Sequence, residues 1–198
     1  MQIFVFGDSI AWGAWDTEGG WVTRIKKHVN ERVVVSKFKN YDEVIDLGVS
    51  GNDTNNLLAR FENELTARLS GDALGIIFAI GTNDSFHMPP EQFTGNLKKL
   101  ISLARKYTDK IVFVGLPPVN KASLVQSETS YTNDSIKKYN SLIINVCKKE
   151  NLDFIGIFDE FAKTEISKLI ADGLHPNDKG HEIIAEVVEK HLHDKKWV

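Results

Sequence analysis

The sequence predicts a doubly wound α/β fold: a mainly parallel five-stranded sheet with helices on both faces. Three observations predict it. Five short runs are apolar nearly throughout, as in strands covered on both faces. Amphipathic stretches of helical period alternate with those runs, which argues for right-handed crossovers. The segments after the first three runs share a composition of Gly, small hydroxyls, Asn and Asp.

The elements follow in order. Ile3-Phe4-Val5-Phe6 reads as the first strand and Val44-Ile45-Asp46-Leu47 as the second. Ala73 to Ile80 (ALGIIFAI) is the clearest run; Lys110 to Gly115 and Asp153 to Ile157 complete the five. Thr54 to Leu69 puts Leu57, Leu58, Phe61, Leu65 and Leu69 on one helix face. Pro90 to Tyr107 does the same with Phe93, Leu97, Leu100, Ile101 and Ala104. Pro90 suits a first helical turn, where its missing N–H costs nothing. Tyr131 to Glu150 and Asp178 to Leu192 are further helices. Glu31 to Asp42 reads two ways, with Val33-Val34-Val35 as an extra strand or as an excursion before the second core strand.

The 198 residues suit one domain, 1–198, and the 42% apolar content is enough for a sizeable core. A net charge of −3 gives no general attraction to nucleic acid or to an anionic membrane. Lys98-Lys99, Lys137-Lys138 and Lys148-Lys149 read as solvated helix faces. Cys147 is the single cysteine, so no internal disulfide forms; it shares a helix face with Asn140 and Ile143 and reads as a buried thiol. The opening MQIFVFGDS has neither a basic n-region nor a long apolar run. The expectation is a cytoplasmic protein without signal peptide or membrane span. No oligomeric state is read from the sequence.

In such sheets ligands bind beyond the carboxyl ends of the strands. Gly7-Asp8-Ser9, Gly48 to Asn52, Gly81 to Asp84 and Leu116 to Ser130 occupy that edge. Turns alone explain the glycines but not the repeated hydroxyl and amide groups. Ester hydrolysis needs a hydroxyl nucleophile, a base, a group to orient the base, and donors for the oxyanion. Ser9 follows the first strand at once and opens a helix, whose N-terminus favours developing negative charge. Of six histidines, His28 lies on an early helix and His181, His191 and His193 on the polar or fraying part of the last; most read as surface residues. His175 differs, because Asp172-Gly173-Leu174-His175-Pro176-Asn177 is a tight turn before a helix start, from which Asp172 reaches the ring. The Ser9 N–H, the Gly51 N–H and the Asn83 side chain are the candidate oxyanion donors. Ser50 in GVSGN comes nearest to a G-x-S-x-G elbow but fails the pattern.

Gly7-Asp8-Ser9-Ile10, then Gly51, then Gly81-x-Asn83-Asp84, then Asp172-x-x-His175 resembles the GDSL, or SGNH, hydrolase family, with four blocks in order over nearly the entire chain. The resemblance implies a flavodoxin-like sheet and a Ser/Asp/His mechanism with no metal and no cofactor. It gives Ser9 the roles of nucleophile and oxyanion donor, Gly51 and Asn83 the rest of the hole, His175 the base, and Asp172 the orienting carboxylate. Ile10 stands where the family name has leucine, a conservative apolar change. Gly51 is preferred over Gly48 because family members carry a Ser-Gly pair there, as Ser50-Gly51 does.

The implied partner is a small-molecule ester: an acyl ester, lysophospholipid or thioester, with carbohydrate O-deacetylation as the alternative. Trp12, Trp15 and Trp21 follow Ser9 closely; at least two of them are expected to be packing residues. Phe86, His87 and Met88 are candidates for an acyl-pocket wall, and Leu116 to Ser130 for a lid. Two rival classes remain. One is a non-catalytic flavodoxin-like binding module whose loop from Gly7 to Gly13 cradles phosphate. The other is a metal-dependent phosphoesterase using Asp8, Asp84, Asp172 and His175.

Overall fold

The computed structural model describes residues 1–39, 41–71, 74–125 and 130–198. Five parallel strands, β1 (Gln2–Gly7), β2 (Glu43–Gly48), β3 (Leu74–Ala79), β4 (Ile111–Val114) and β5 (Asp153–Ile155), form one sheet in the order β2-β1-β3-β4-β5. The order reverses between β1 and β3, so a crevice opens beyond their carboxyl ends. This is the expected flavodoxin-like sheet. Ala73, the expected start of β3, lies outside the described residues.

Each strand alternates its side chains between two cores. Phe4, Phe6, Ile76, Phe78 and Phe113 face one side, where α3 (Thr54–Thr66), α5 (Pro90–Ala104) and α6 (Asn133–Glu150) cover them. Phe78 packs at a tilt between Phe6 and Phe113, with ring centroids 6.1 and 5.0 Å away, and Phe61 of α3 caps Phe6 at 4.8 Å. Ile3, Val5, Ile77, Val112 and Val114 face the other side, under α1 (Ser9–Trp12), α2 (Gly20–Val35) and α8 (Asp178–Asp194). The short helices α4 (Asp84–His87) and α7 (Phe158–Phe161) and two single-turn 3-10 helices, Lys121–Ser123 and Ile166–Lys168, lie between these elements. No described helix is long and apolar enough to cross a membrane.

Val33-Val34-Val35 forms neither an extra strand nor an excursion; it is the last turn of α2. Trp21, Val22, Ile25, Val29 and Val33 make one buried stripe of helical period, while Val34 and Val35 face solvent. A strand would have buried alternate residues. Elsewhere ends shift: α3 stops at Thr66 and α5 at Ala104, both short of expectation. The sixth helix begins at Asn133, because Thr132 caps it by accepting from the Ser135 N–H. Cys147 is buried on α6, and burial pushes its thiol up to about 12. The three lysine pairs are exposed.

Candidate active site

Two glycines set the position of Ser9. A Cβ on Gly7 would lie 2.4 Å from both the Ala11 Cβ and the Ala79 carbonyl oxygen, and one on Gly48 would lie 2.2 Å from the Trp12 nitrogen. Both must be glycine for α1 to sit directly on the ends of β1, β2 and β3. Asp8 caps α1, its Oδ1 accepting the Ile10 N–H at 2.9 Å. Ser9 is then the first helical residue, with its hydroxyl at the crevice.

The loop before α8 is folded just as tightly. Ala171 donates to the His175 carbonyl at 2.8 Å, beside an isolated antiparallel bridge between Ile170 and Pro176. Gly173 turns the chain at φ +99°, and a Cβ there would meet the Leu124 nitrogen at 2.4 Å. Asp172 Oδ1 accepts the Leu174 and His175 N–H groups at 2.9 and 2.8 Å. Its Oδ2 lies 2.7 Å from His175 Nδ1, and His175 Nε2 lies 2.9 Å from Ser9 Oγ. Burial alone would raise the Asp172 carboxyl. The His175 N–H and ring and the Leu174 N–H outweigh it and hold Asp172 below the usual carboxylate range. A carboxylate only accepts, so Nδ1 carries the proton and Nε2 accepts the Ser9 O–H.

Across the crevice, Gly51 sits at φ +78° with open space where a Cβ would be. Its backbone conformation, not crowding, demands glycine. Asn83 Nδ2 donates to the Asn52 carbonyl at 2.9 Å, which ties the amide beside Gly51. The Tyr131 hydroxyl donates to Asn83 Oδ1 at 2.9 Å. A backbone carbonyl only accepts, so these two contacts fix which way the amide points and leave one Nδ2 N–H unpartnered among the described residues. The Ser9 and Gly51 N–H groups likewise find no hydrogen-bond partner among them. Arg60 braces this side, with Nε on Asn52 Oδ1 at 2.8 Å and Nη2 on the Leu47 and Gly7 carbonyls at 2.8 and 3.1 Å. Asp84 is fully buried and accepts the Thr54 N–H at 3.0 Å, anchoring the Asn83 loop to α3.

Of the five nominated residues, Ser9, His175 and Asp172 are joined by direct hydrogen bonds. Gly51 and Asn83 are joined to each other through Asn52. Arg60 and Tyr131 carried no sequence signal. Three expectations fail. His181 is buried completely rather than solvent-facing: Nδ1 accepts the Trp21 N–H at 3.3 Å and Nε2 donates to the Ala14 carbonyl at 3.0 Å. It shares the buried stripe of Ile184, Ala185 and Val188, and burial lowers its pKa. Of the three tryptophans only Trp21 packs inside; Trp12 and Trp15 are 53% and 58% exposed. Met88 belongs to the core, which leaves Phe86, against Tyr131 at 4.9 Å, and exposed His87 near the crevice.

The rival constellations do not assemble. Asp8 and Asp84 hold partners apart from the Asp172–His175 pair, and no group of three or more His, Cys, Asp or Glu gathers among the described residues. The glycines of the supposed phosphate cradle serve backbone packing instead: a Cβ on Gly13 would lie 2.6 Å from the Gly20 Cα. The candidate lid packs its first half on the His175 turn, where Asn120 donates to the Gly173 carbonyl at 2.8 Å; residues 126–129 lie outside the described residues.

Asp8 supplies a stability prediction. Its Oδ2 is buried without a partner among the described residues, and burial raises its carboxyl to about 6 against the Ile10 N–H. The folded state therefore holds this proton more tightly than the unfolded state. Stability falls as pH rises from the unfolded value near 4 to about 6, by roughly 3 kcal/mol. Asp8→Asn cannot ionise. The difference in unfolding free energy between variant and wild type should swing toward the variant by about 2 kcal/mol between pH 4.5 and pH 7.5, the rest having been lost below pH 4.5. Urea titrations at both values check it, and an equal difference at both would refute the buried charge.

The sequence profile of the GDSL-like Lipase/Acylhydrolase family matches residues 5–183. The GDSL esterase/lipase CPRD49 of Arabidopsis thaliana is 23% identical over 99% of this chain and 80% of its own length. The crystal structure of the lipase/acylhydrolase from Enterococcus faecalis superposes with a TM-score of 0.78 at 21% identity, covering 98% of this chain and 96% of that one. The acetylxylan esterase of Geobacillus stearothermophilus gives 0.76 at 19% identity, covering 96% and 93%. Family profile, parallel sheet and serine–histidine pair agree: the chain belongs to the GDSL-like lipase/acylhydrolase family and is a serine-dependent ester hydrolase.

Proposed function

We propose that Ser9 is the nucleophile, His175 the general base and then acid, and Asp172 the carboxylate that orients it. The Ser9 N–H, the Gly51 N–H and the free Asn83 Nδ2 N–H receive the oxyanion. The observation that carries the reading is the run from Ser9 Oγ to His175 Nε2 at 2.9 Å and from His175 Nδ1 to Asp172 Oδ2 at 2.7 Å. Ser9 Oγ attacks the ester carbonyl while Nε2 takes its proton. His175 returns that proton to the departing alcohol, leaving an acyl group on Ser9. Water then attacks the acyl-enzyme with His175 again as base, and the carboxylic acid leaves. Asp172 stays ionised throughout. The reading treats 1–198 as one hydrolase domain. A cytoplasmic location belongs to it too, supported by the single, buried Cys147 and tested by cell fractionation.

A panel of acyl esters of graded length, thioesters and acetylated sugars, with and without a serine-directed organophosphorus reagent, tests this. Hydrolysis should stop as one label appears on Ser9. Label elsewhere, or undiminished turnover by the labelled enzyme, overturns it. The oxyanion assignment has its own check. Asn83→Ala should lower kcat about 10²–10³-fold. Tyr131→Phe, which removes the hydroxyl bonded to the Asn83 amide, should lower it roughly tenfold, the worth of about one hydrogen bond. Steady-state kinetics with unchanged kcat in both variants would remove Asn83 from the hole.

One observation favours the carbohydrate O-deacetylase reading. Trp12 and Trp15, both more than half exposed, line a cleft of about 540 Å³ with Asp16, Thr17, Thr23 and Asp46. Two exposed aromatic faces in one open cleft suit a sugar ring. Under this reading Trp12→Ala raises KM for an acetylated oligosaccharide severalfold. An unchanged KM leaves the simple acyl ester as the substrate.

A further inference from the structure

Trp15 does not behave as a surface tryptophan. Its indole Nε1 donates to Asp172 Oδ2 at 2.5 Å, the same oxygen that takes His175 Nδ1. Its ring meets the His175 ring edge to face, with centroids 5.8 Å apart and planes at 81°. Its backbone sits at φ +65°, a conformation that a bulky residue adopts only where the surroundings impose it.

The surroundings do impose it. On one side the Ala14 N–H donates to the Ser9 carbonyl at 2.9 Å, and the Ala14 carbonyl accepts from buried His181 at 3.0 Å. On the other, the Asp16 N–H donates to the Gly13 carbonyl at 3.2 Å. The Asp16 carboxylate accepts two bonds from Arg24 at 2.8 Å each and the Gly20 and Glu18 N–H groups at 3.0 Å. Both neighbours of Trp15 are thus fixed to the body of the protein. The indole reaches Asp172 from a rigid support, although the ring itself faces solvent.

We infer that Trp15 is a positioning residue of the triad, acting through Asp172, an inference that rests on the proposed roles of Asp172 and His175. A carboxylate has about four acceptor positions. Those of Asp172 are filled by two backbone N–H groups, the His175 ring and the indole. A fully occupied carboxylate cannot rotate away from the imidazole or turn Oδ2 to water. Without the indole N–H, Asp172 is a stronger acceptor for the remaining ring proton and holds the imidazolium more firmly. The base then frees itself only at higher pH.

The test compares Trp15→Phe, Asp172→Ala and the double variant on a small acetyl ester. 3-Benzothienylalanine at position 15 provides a further variant that keeps the ring shape and exchanges N–H for sulfur. Trp15→Phe and the benzothienylalanine enzyme should both lose about tenfold in kcat with KM within twofold, in keeping with one charge-assisted hydrogen bond. The acidic limb of kcat/KM should move to higher pH in both. On the Asp172→Ala background the Trp15→Phe loss should disappear, since its target is gone. A wild-type rate and limb in the benzothienylalanine enzyme, or an undiminished Trp15→Phe loss beside Asp172→Ala, overturns the inference. If Asp172→Ala itself is active near the wild-type rate, the triad reading fails instead, which keeps the two failures distinct.

Discussion

Ser9→Ala is expected to abolish ester hydrolysis, by about 10⁵–10⁶ in kcat, while the protein stays folded. Among the described residues the Ser9 hydroxyl makes one hydrogen bond, to His175, and Ser9 belongs to neither hydrophobic core cluster. On the proposed roles, loss of the Ser9 hydroxyl leaves only binding and the oxyanion donors, which in triad enzymes retain roughly 10³–10⁴ over water. Ser50→Ala is the control. Ser50 is exposed on the turn that carries Gly51 and is hydrogen-bonded to no histidine among the described residues, so its removal should leave most of the rate. Circular dichroism and thermal unfolding verify the fold; active-site titration with an organophosphorus reagent counts the nucleophile. An inactive, folded Ser50→Ala enzyme that no longer takes the label, beside a working Ser9→Ala, would transfer the role to Ser50.

The sheet was legible because its strands are buried on both faces. ALGIIFAI has no second interpretation once glycine and polar residues bound it, and each of the five runs supplies a strand of the parallel sheet, the fifth only over Asp153–Ile155. Val33-Val34-Val35 misled because three β-branched residues mimic a strand, whereas the preceding stripe from Trp21 to Val29 already set a helical period that Val33 continues. His181 carried a usable signal of the same kind, three and four residues before Ile184 and Ala185 on the buried face of α8. Polar identity outweighed position in reading it as exposed.

The local part of the site was equally legible. Asp172 and His175 are three residues apart, and a turn brings them together whatever the rest of the chain does. The remainder was not, since it is made across the fold. Trp15 meets Asp172 over 157 residues of sequence, Tyr131 meets Asn83 over 48, and Arg60 reaches Gly7 over 53. No spacing rule links such pairs. Trp15 adds a second obstacle: hydrophobicity predicts burial for an indole, yet here a polar N–H and a constrained backbone keep it at the surface.

Asp172→Asn should cost on the order of 10³–10⁴ in kcat, by the general logic of the triad. The particular surroundings of Asp172 make the reason specific. All four of its partners are donors: the Leu174 and His175 N–H groups on Oδ1, the His175 ring and the Trp15 indole on Oδ2. An amide has one acceptor end and one donor end. Turned one way, its NH₂ opposes two backbone N–H groups and strains the turn that places His175. Turned the other way, it donates to His175 Nδ1 and drives the ring into the tautomer with the proton on Nε2. That tautomer points a donor at Ser9 and cannot take its proton. Either orientation disables the base while leaving Ser9 and the oxyanion donors in place, so KM should change little beside kcat. His175→Ala should be at least as damaging. The measurement is kcat and KM for both variants from pH 5 to 9. A folded Asp172→Asn enzyme within tenfold of wild type across that range would mean that the His175 ring is oriented by another acceptor.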